Sequence, residues 1–335
     1  MDFENLCPGC MREVENRSQM KYCPHCSYDL GNIQAAPHQL QPFTILNGKY
    51  IVGKVIGEGG SRITYLGTDM NLSMLVAIRE FHPNSLANRK IQSANKVTLN
   101  TGSDQENIKR WKKNFEEEAQ MYLKFSEFGG MQRVIDCFEE NNTSYVVLEY
   151  LEGISLKTYL KQKGGKIPVQ ELLRLIQPVI QFLSEFHAAG YIHRGISPNE
   201  MIITNSGQMK LCCYGVGTCC KVSDRISNSI LLASGYAPEE GYRSKGHQGP
   251  WSDVYALCGT IYRCITGKTP PEALERIRND TLLLPSSYEI QISPQQEQAI
   301  MEGLAVYAEN RIKDMDELHQ KLYGVPYEKC LQKSN

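Results

Sequence analysis

The chain lacks several features that would place it at once in a class of proteins. No run of its sequence approaches the roughly 18 apolar residues that a membrane-spanning helix needs. The N-terminal stretch "MDFENLCPGC" has neither the basic nor the apolar region of a signal peptide. An excess of positive charge is also missing, because 36 Lys and Arg stand against 37 Asp and Glu, whereas a protein that coats nucleic acid is normally basic. We therefore expect a cytoplasmic protein that has no membrane span and whose main ligand is not nucleic acid.

The length and composition are those of an ordinary globular protein. The 335 residues are enough for two or three compact units, and 41% hydrophobic with 22% charged residues allow a packed core. Twelve cysteines are present, and most of them should be reduced in the cytosol because disulfides are rare in that compartment. Four of these cysteines have a spacing that indicates another role.

Residues 1–30 carry a paired cysteine motif. Two C-x2-C pairs stand twelve residues apart in "CPGCMREVENRSQMKYCPHC" and supply Cys7, Cys10, Cys23 and Cys26. Each pair lets two thiolates from one tight turn face one ion, and two such turns complete the tetrahedron that Zn²⁺ accepts. His25 is an alternative ligand inside the second pair, and four free thiols in an unstructured tail are the other alternative. The motif resembles a zinc ribbon that holds a structural Zn²⁺.

A zinc ribbon can also bind nucleic acid, and this is one alternative for the function of the whole chain. The segment "NRSQMKY" offers only Arg17 and Lys21 beside a single aromatic residue. A surface that stacks bases and follows a phosphate backbone needs more aromatic and basic side chains than this. We therefore do not expect nucleic acid as a partner.

The rest of the chain changes from strands to helices. The stretch 31–47 contains "GNIQAAPHQLQP", which has two prolines and no apolar periodicity, and we interpret it as a linker. Strands are predicted at "YIVGKVIGEGG", "RITYLGTDM", "MLVAIREF" and "SYVVLEYL", with a helix in "RWKKNFEEEAQMYLKFSEF". The polar stretch 82–109 has one possible strand at "KVTLN". Long amphipathic segments after Gly153 predict helices, so the fold class is α+β with two lobes, and 325–335 is a tail.

In this order and at these separations, the fragments resemble the protein kinase-like superfamily over residues 48–324. The small lobe would be 48–150 and the large lobe 151–324. The motifs are "GEGGSRITYLG" for the glycine-rich loop, "VAIR" for the third strand, "FEEEAQ" for helix C and "LEYLEG" for the hinge. "HRGISPNE" is similar to the catalytic loop, "KLCCYG" to the metal-binding loop and "YAPEE" to the end of the activation segment. A zinc ribbon before such a domain also resembles bacterial serine/threonine kinase-like proteins.

The resemblance implies two sets of positions with a role in binding or in folding. Contacts to a nucleotide would come from Gly57, Gly59, Ala77, Arg79, Glu149, Leu151 and Ile202. The large lobe would be held together by Gly215, Glu239, Asp253 and Arg311. In that second set Glu239 would pair with Arg311, and Asp253 would tie the central helix to the catalytic loop. Glu118, His193 and Arg194 are retained.

The departures from the family fall on the positions that carry its chemistry, which is phosphoryl transfer by positioning and electrostatic stabilisation. At five of these positions the residue differs from that of the family. Arg79 stands in place of the third-strand lysine, Gly195 in place of the catalytic aspartate and Ser197 in place of the loop lysine. Glu200 stands in place of the magnesium-binding asparagine, and Cys213 in place of the metal-loop aspartate. A thiol is a poor ligand for Mg²⁺, which prefers oxygen. Arg62 stands where the third glycine would let a phosphate approach the backbone.

Together these replacements predict a pseudokinase, a kinase fold that serves regulation or scaffolding and has another protein as its partner. Binding of ATP and Mg²⁺ is doubtful, and we expect weak, Mg²⁺-independent nucleotide binding at best. The main alternative is an active serine/threonine kinase or other nucleotide-dependent transferase with a rearranged site. In that alternative Glu200 would hold the metal, Arg79 and Arg62 the phosphates, and a carboxylate such as Asp224 would act as the base.

Overall fold

The chain forms two compact units in a computed structural model. The first unit comprises 1–126 and 133–150, and the second comprises 127–132 and 151–335. The structure describes residues 5–83, 86–89, 95–102, 104–212, 220–221, 233–243 and 246–326. Cys213 and Gly215, two of the predicted functional positions, lie outside the described residues, as does Asp224.

The first unit is built on an antiparallel sheet. Its strands in chain order are β1 (Ile45–Leu46), β2 (Tyr50–Gly59), β3 (Arg62–Asp69), β4 (Met74–Phe81), β5 (Ala87–Arg89), β6 (Val97–Leu99), β7 (Val134–Glu140) and β8 (Thr143–Glu149). Six of them form one sheet in the order β1-β2-β3-β4-β8-β7, and β5 pairs with β6 in a separate hairpin. Successive side chains of a strand point to opposite faces, so alternate apolar residues of β2, β3, β4 and β8 pack into one core.

A single long helix, α1 (Gln105–Leu123), accompanies this sheet. Its N-cap is Asp104, whose carboxylate accepts a hydrogen bond from the Asn107 amide at 3.1 Å. Because of this cap the helix begins five residues before Arg110, where the apolar periodicity placed its start. Strands β5 and β7 are also absent from the sequence-based prediction.

Part of the stretch interpreted as a linker belongs to the core of the first unit. Leu40 and Leu46 are buried with the apolar residues of the sheet. The Leu40 amide donates a hydrogen bond to the Tyr65 hydroxyl at 3.0 Å. Single apolar residues without a period gave no sign of this packing, so the linker interpretation is wrong for the second half of 31–47.

A buried charge pair lies inside the first unit. Glu80, on β4, accepts hydrogen bonds from the hydroxyls of Tyr65 at 2.8 Å and Tyr145 at 2.9 Å. It also forms an ion pair with Arg89 of β5, and both side chains are buried. The Arg89 Nε donates to the His38 carbonyl at 3.3 Å. This network attaches the hairpin β5-β6 and the segment around His38 to the sheet.

The second unit is mainly helical. Its elements in chain order are β9 (Gly153–Ser155), α2 (Leu156–Gln162), α3 (Val169–Ala188), β10 (Tyr191–Ile192), β11 (Met201–Thr204), β12 (Met209–Leu211), β13 (Cys220–Lys221), α4 (Pro250–Thr266), α5 (Ala273–Arg278), α6 (Pro294–Gly303) and α7 (Met315–Tyr323). The strands pair in the order β12-β11-β9, and β10 pairs with β13. The predicted α+β class, with a strand-rich part followed by a helical part, is confirmed. Across the described part of the chain, no helix is long and apolar enough to cross a membrane.

The predicted pair of Glu239 with Arg311 is wrong in its acidic partner. Arg311 donates two hydrogen bonds to the Glu240 carboxylate, at 2.7 and 3.2 Å, and both side chains are buried. Glu239 instead faces Arg243, with 2.6 Å between the Arg243 Nε and the Glu239 Oε2. The two acids begin a 3₁₀-helix at Glu239–Tyr242, in which neighbouring side chains point about 120° apart. Only one of them can therefore face Arg311.

Alanine substitutions at these adjacent acids should separate their roles. Glu240→Ala leaves a buried guanidinium without its carboxylate, and breaking a buried pair in this way typically costs about 3–5 kcal/mol. Glu239→Ala removes a pair whose arginine is exposed, which is worth about 1 kcal/mol or less. We expect a much larger fall in melting temperature for Glu240→Ala. Equal falls in the two variants, measured by thermal unfolding followed by circular dichroism, would contradict this assignment.

Candidate functional site

The N-terminal cysteine motif forms two turns that are structural copies of each other. The Val14 amide donates to the Asn5 carbonyl at 2.7 Å, and sixteen residues later the Leu30 amide donates to the Lys21 carbonyl at 2.8 Å. Each turn ends with a residue in the left-handed region, at Met11 (φ 57°) and Ser27 (φ 58°). The sequence contains this repeat, as "LCPGCMREV" and "YCPHCSYDL", whereas the prediction rested on the cysteines and the turn-forming residues between them.

The four thiols of the two turns converge on one point. The Sγ atoms of Cys7, Cys10, Cys23 and Cys26 all lie within 4.8 Å of one another. Cys7 Sγ is 3.7 Å from Cys26 Sγ, and Cys10 Sγ is 3.8 Å from Cys23 Sγ. A tetrahedron of sulfurs about 2.3 Å from a central ion has edges of about 3.8 Å. The arrangement can hold a metal ion, and His25 does not belong to the cluster.

The four thiols do not share one protonation behaviour. Burial raises the pKa of Cys7 and raises the pKa of Cys10 to about 11, whereas burial is outweighed at Cys23, where backbone hydrogen bonds from His25 and Cys26 lower the pKa. Thiols with pKa values raised as at Cys7 and Cys10 are neutral at pH 7 unless a positive charge stabilises the thiolates. A bound cation supplies that charge, and binding it releases protons.

A second group of predicted residues lies in the second unit, on the loop between β10 and β11. The buried carboxylate of Asp253, in the first turn of α4, accepts hydrogen bonds from the amides of His193 and Arg194, both at 2.7 Å. The His187 ring, at the end of α3, lies 2.9 Å from the same carboxylate. Arg194 has φ 66°, a conformation that a non-glycine residue keeps only when its surroundings impose it. The loop is thus fixed to α3 and α4 by one carboxylate.

His193 is buried and neutral. Burial lowers the pKa of its ring, although nearby Asp253 acts in the opposite direction. Its Nδ1 accepts a hydrogen bond from the Gly195 amide at 3.3 Å. A hydrogen bond to the Cys212 backbone also involves this side chain. The ring therefore orders the loop from inside and is not available as a general base.

Gly195 is not required by the packing around it. A Cβ built at this position would lie 3.8 Å from the nearest atoms, which are two ring atoms of His193. This is an ordinary van der Waals distance, and φ lies outside the positive range that favours glycine. The described atoms around position 195 therefore leave room for a Cβ.

Backbone hydrogen bonds fix the other two replaced positions of this loop, Ser197 and Glu200. Ser197 is buried, and its carbonyl accepts a hydrogen bond from the Glu200 amide at 3.0 Å. The Glu200 carbonyl in turn accepts from the Cys212 amide at 2.7 Å. Ile202 follows on β11, where it pairs with Lys210 of β12. The loop is continuous with the small sheet of the second unit.

The predicted positions of the first unit lie on its sheet and helix. Gly57 and Gly59 are on β2, and a Cβ at either would meet its nearest neighbour only at 4.0 Å. Arg62 pairs with Gly59 at the other side of the hairpin. Packing therefore does not explain why these two positions are glycine.

The remaining predicted positions of this unit are on β4, α1 and β8. Ala77 and Arg79 are on β4, opposite Leu148 and Val146, and Glu118 is buried on α1. Glu149 ends β8, and its carboxylate accepts a hydrogen bond from the Arg133 amide at 2.8 Å. Leu151 begins the longer segment of the second unit.

Comparison with known proteins gives a match over most of the chain. The protein kinase domain profile matches residues 50–321. This chain belongs to the protein kinase family. The solved structure described as "PpkA-294 apo form" is 28% identical, with a TM-score of 0.74, over 85% of this chain and 99% of that one. The kinase domain of Mycobacterium tuberculosis PknI, at 18% identity and a TM-score of 0.59, supports the fold alone.

Bacterial serine/threonine kinases are among the known proteins similar to this chain. The serine/threonine-protein kinase PrkC of Bacillus subtilis is 26% identical over 226 residues, which are 67% of this chain and 31% of PrkC. PknL of Mycobacterium tuberculosis is 25% identical over 227 residues, 68% of this chain and 51% of PknL. The chain therefore spans about a third to a half of the length of these relatives. The cysteine turns lie before the matched kinase domain.

Proposed function

We propose that this chain is a catalytically impaired kinase domain, a cytoplasmic pseudokinase that regulates or scaffolds another protein. The observation that carries the proposal is the loop around Gly195. Asp253 and His193 hold this loop as a fixed element, yet the position of the catalytic base has no side chain. Since the space beside Gly195 would admit a Cβ, the missing carboxylate is not a consequence of packing.

The chemical consequence is large. In the family the aspartate of this loop accepts the proton of the substrate hydroxyl, and a general base typically contributes about a hundredfold to ten-thousandfold in rate. Ser197, in the place of the loop lysine, supplies no positive charge to the transferred phosphoryl group. Cys213 replaces an oxygen ligand of Mg²⁺ by sulfur. All three replacements weaken the same step, the transfer of the phosphoryl group, so the rate of that step is expected to fall strongly.

An active transferase remains the second candidate because of three observations. Gly57 and Gly59 leave open space along β2, which a phosphate group could approach. Arg79 is on β4 at the position of the family's lysine, and its guanidinium can carry the same charge. Glu200 has an oxygen ligand for a metal in place of an amide. This candidate still requires a base that replaces the missing aspartate.

The first prediction concerns phosphotransfer. With labelled ATP and Mg²⁺, the purified chain should not phosphorylate itself or generic serine and threonine substrates, because the base and a metal ligand are missing. Gly195→Asp alone and Cys213→Asp alone should not restore activity, since each group works only with the others in place. Gly195→Asp should keep the melting temperature because the described atoms leave room for its Cβ. Label incorporated by the unmodified chain and lost in Arg79→Ala would refute the pseudokinase proposal.

The second prediction concerns nucleotide binding. A ligand at a hundred times its Kd adds about 2.7 kcal/mol of stability. Each kcal/mol raises the melting temperature of a domain of this size by about 2–4 °C. We expect millimolar ATP to raise it by less than about 2 °C, equally with and without Mg²⁺, with Mg²⁺ alone and inorganic triphosphate as controls. A rise of several degrees that requires both ATP and Mg²⁺ would favour the active transferase.

The third prediction concerns the metal. We assign Zn²⁺ to the cysteine cluster because four thiolates in a tetrahedron are the usual ligands of structural zinc. Protein purified without chelator should carry about one zinc per chain. The double variant Cys7→Ser/Cys10→Ser should lose the metal, whereas Cys137→Ser, at a half-buried cysteine outside the cluster, should retain it. Absence of zinc from the unmodified protein by elemental analysis would refute the assignment.

A further inference from the structure

The strand β2 is irregular just before its glycine-rich end. Its register with β3 shifts between Val52 and Val55, and again between Val55 and Gly57. A bulge of this kind removes backbone groups from the ladder and changes the direction of the strand beyond it. The segment 57–62, which we call the glycine-rich hairpin, is the part that follows.

The first cysteine turn occupies this bulge. The Lys54 amide, which lies between the two regular parts of β2, donates a hydrogen bond to the Pro8 carbonyl at 2.8 Å. Gly53 is buried beneath the turn, and a Cβ built there would lie 2.7 Å from Met11 Sδ, 2.7 Å from the Pro8 carbonyl oxygen and 3.0 Å from the Leu66 carbonyl oxygen of β3. Such distances require a shift of one partner. Glycine is therefore needed at 53 to let the turn approach the strand.

Apolar burial supports the same contact. Leu6 and Met11 of the turn form a buried cluster with Ile51 of β2 and Leu66 of β3. Burial of one aliphatic side chain stabilises by about 1.5–3 kcal/mol. The Arg17 guanidinium lies 4.9 Å from the centre of the Phe43 ring, where it adds a cation–π contact. The turn and the sheet thus share one core.

A second contact acts on the glycine-rich hairpin itself. Glu58, between the two glycines, accepts a hydrogen bond from the Gln39 side chain at 3.0 Å and lies 2.9 Å from the His38 ring. His38 is held in turn through its carbonyl by Arg89. The segment that follows the cysteine turns therefore contacts β2 a second time, at Glu58, beyond the bulge.

We infer that the metal-loaded cysteine turns, with the segment 38–40, brace β2, so that occupancy of the metal site sets the order of the glycine-rich hairpin. A module of this size folds around its metal, so removal of the metal would unfold the turns. Unfolding of the turns would expose Ile51 and Leu66 and leave the Lys54 amide without its acceptor. The inference rests on the proposed metal site, and it holds whether or not the domain transfers phosphate.

Residue-resolved hydrogen exchange tests the inference on the full chain. Removal of the metal with a strong chelator should speed exchange of the Lys54 amide about tenfold or more and also speed exchange at Glu58 and Gly59. Amides of α4, in the other unit, should not change. Release of the metal with faster exchange in 5–30 but unchanged exchange in 54–59 would overturn the inference.

A glycine pair provides a test that leaves the metal in place. Gly53→Ala places a methyl group closest to Met11 and the Pro8 carbonyl of the turn, and next closest to the Leu66 carbonyl of β3, whereas Gly129→Ala places it where no described atom lies within 4 Å. Gly53→Ala should retain the metal and still speed exchange at Lys54 and Glu58, and Gly129→Ala should not. Equal protection in the two variants would overturn the inference. If Gly53→Ala does not fold, the chelation experiment decides alone. If the protein carries no metal, the zinc assignment fails and the glycine pair still tests the brace.

Discussion

The buried carboxylate of Asp253 fixes the loop that carries His193, Arg194 and Gly195. Burial opposes its charge, yet the His187 ring and the amides of His193 and Arg194 hold its pKa below the ordinary value. A buried carboxylate that keeps its charge needs hydrogen-bond donors around it. Movement of the loop backbone away from Asp253 would remove two of these donors and would therefore raise the free energy of the folded state considerably. The left-handed conformation of Arg194 follows from this restraint. The loop is rigid for reasons that do not involve catalysis.

The parts of the fold that follow from local patterns were predictable from the sequence. Strands β2 and β3 flank a glycine-rich turn, β4 is a largely apolar run, and α3 and α4 have long apolar faces, so these elements agree with the prediction. The partner of Arg311 was not predictable, because two adjacent acids fit the same motif and only the 3₁₀ geometry selects Glu240. The Glu80–Arg89 pair was missed for a similar reason. Charged residues are expected at the surface, and nothing local indicates that two of them will be buried together.

At the candidate sites the same division applies. That Cys7, Cys10, Cys23 and Cys26 come together was predictable from their spacing alone, because few spacings let four thiols converge on one point. The contact of Pro8 and Met11 with β2 was not, because it depends on a bulge that appears only when β2 and β3 are paired. In the sequence, nothing distinguishes Gly53 from the other glycines of the same strand. Its role becomes visible only through the atoms that a Cβ would meet.

Two kinds of carboxylate position can therefore be distinguished in the second unit. Asp253 and Glu240 are buried, and each accepts several hydrogen bonds, so their removal would leave donors of the scaffold unsatisfied. Among the described residues, a Cβ at position 195 would contact only the His193 ring, at 3.8 Å, so packing does not require a particular side chain there. The residue type at position 195 and the scaffold of this loop are thus physically independent, because the groups that hold the loop are the Asp253 carboxylate and the His193 ring.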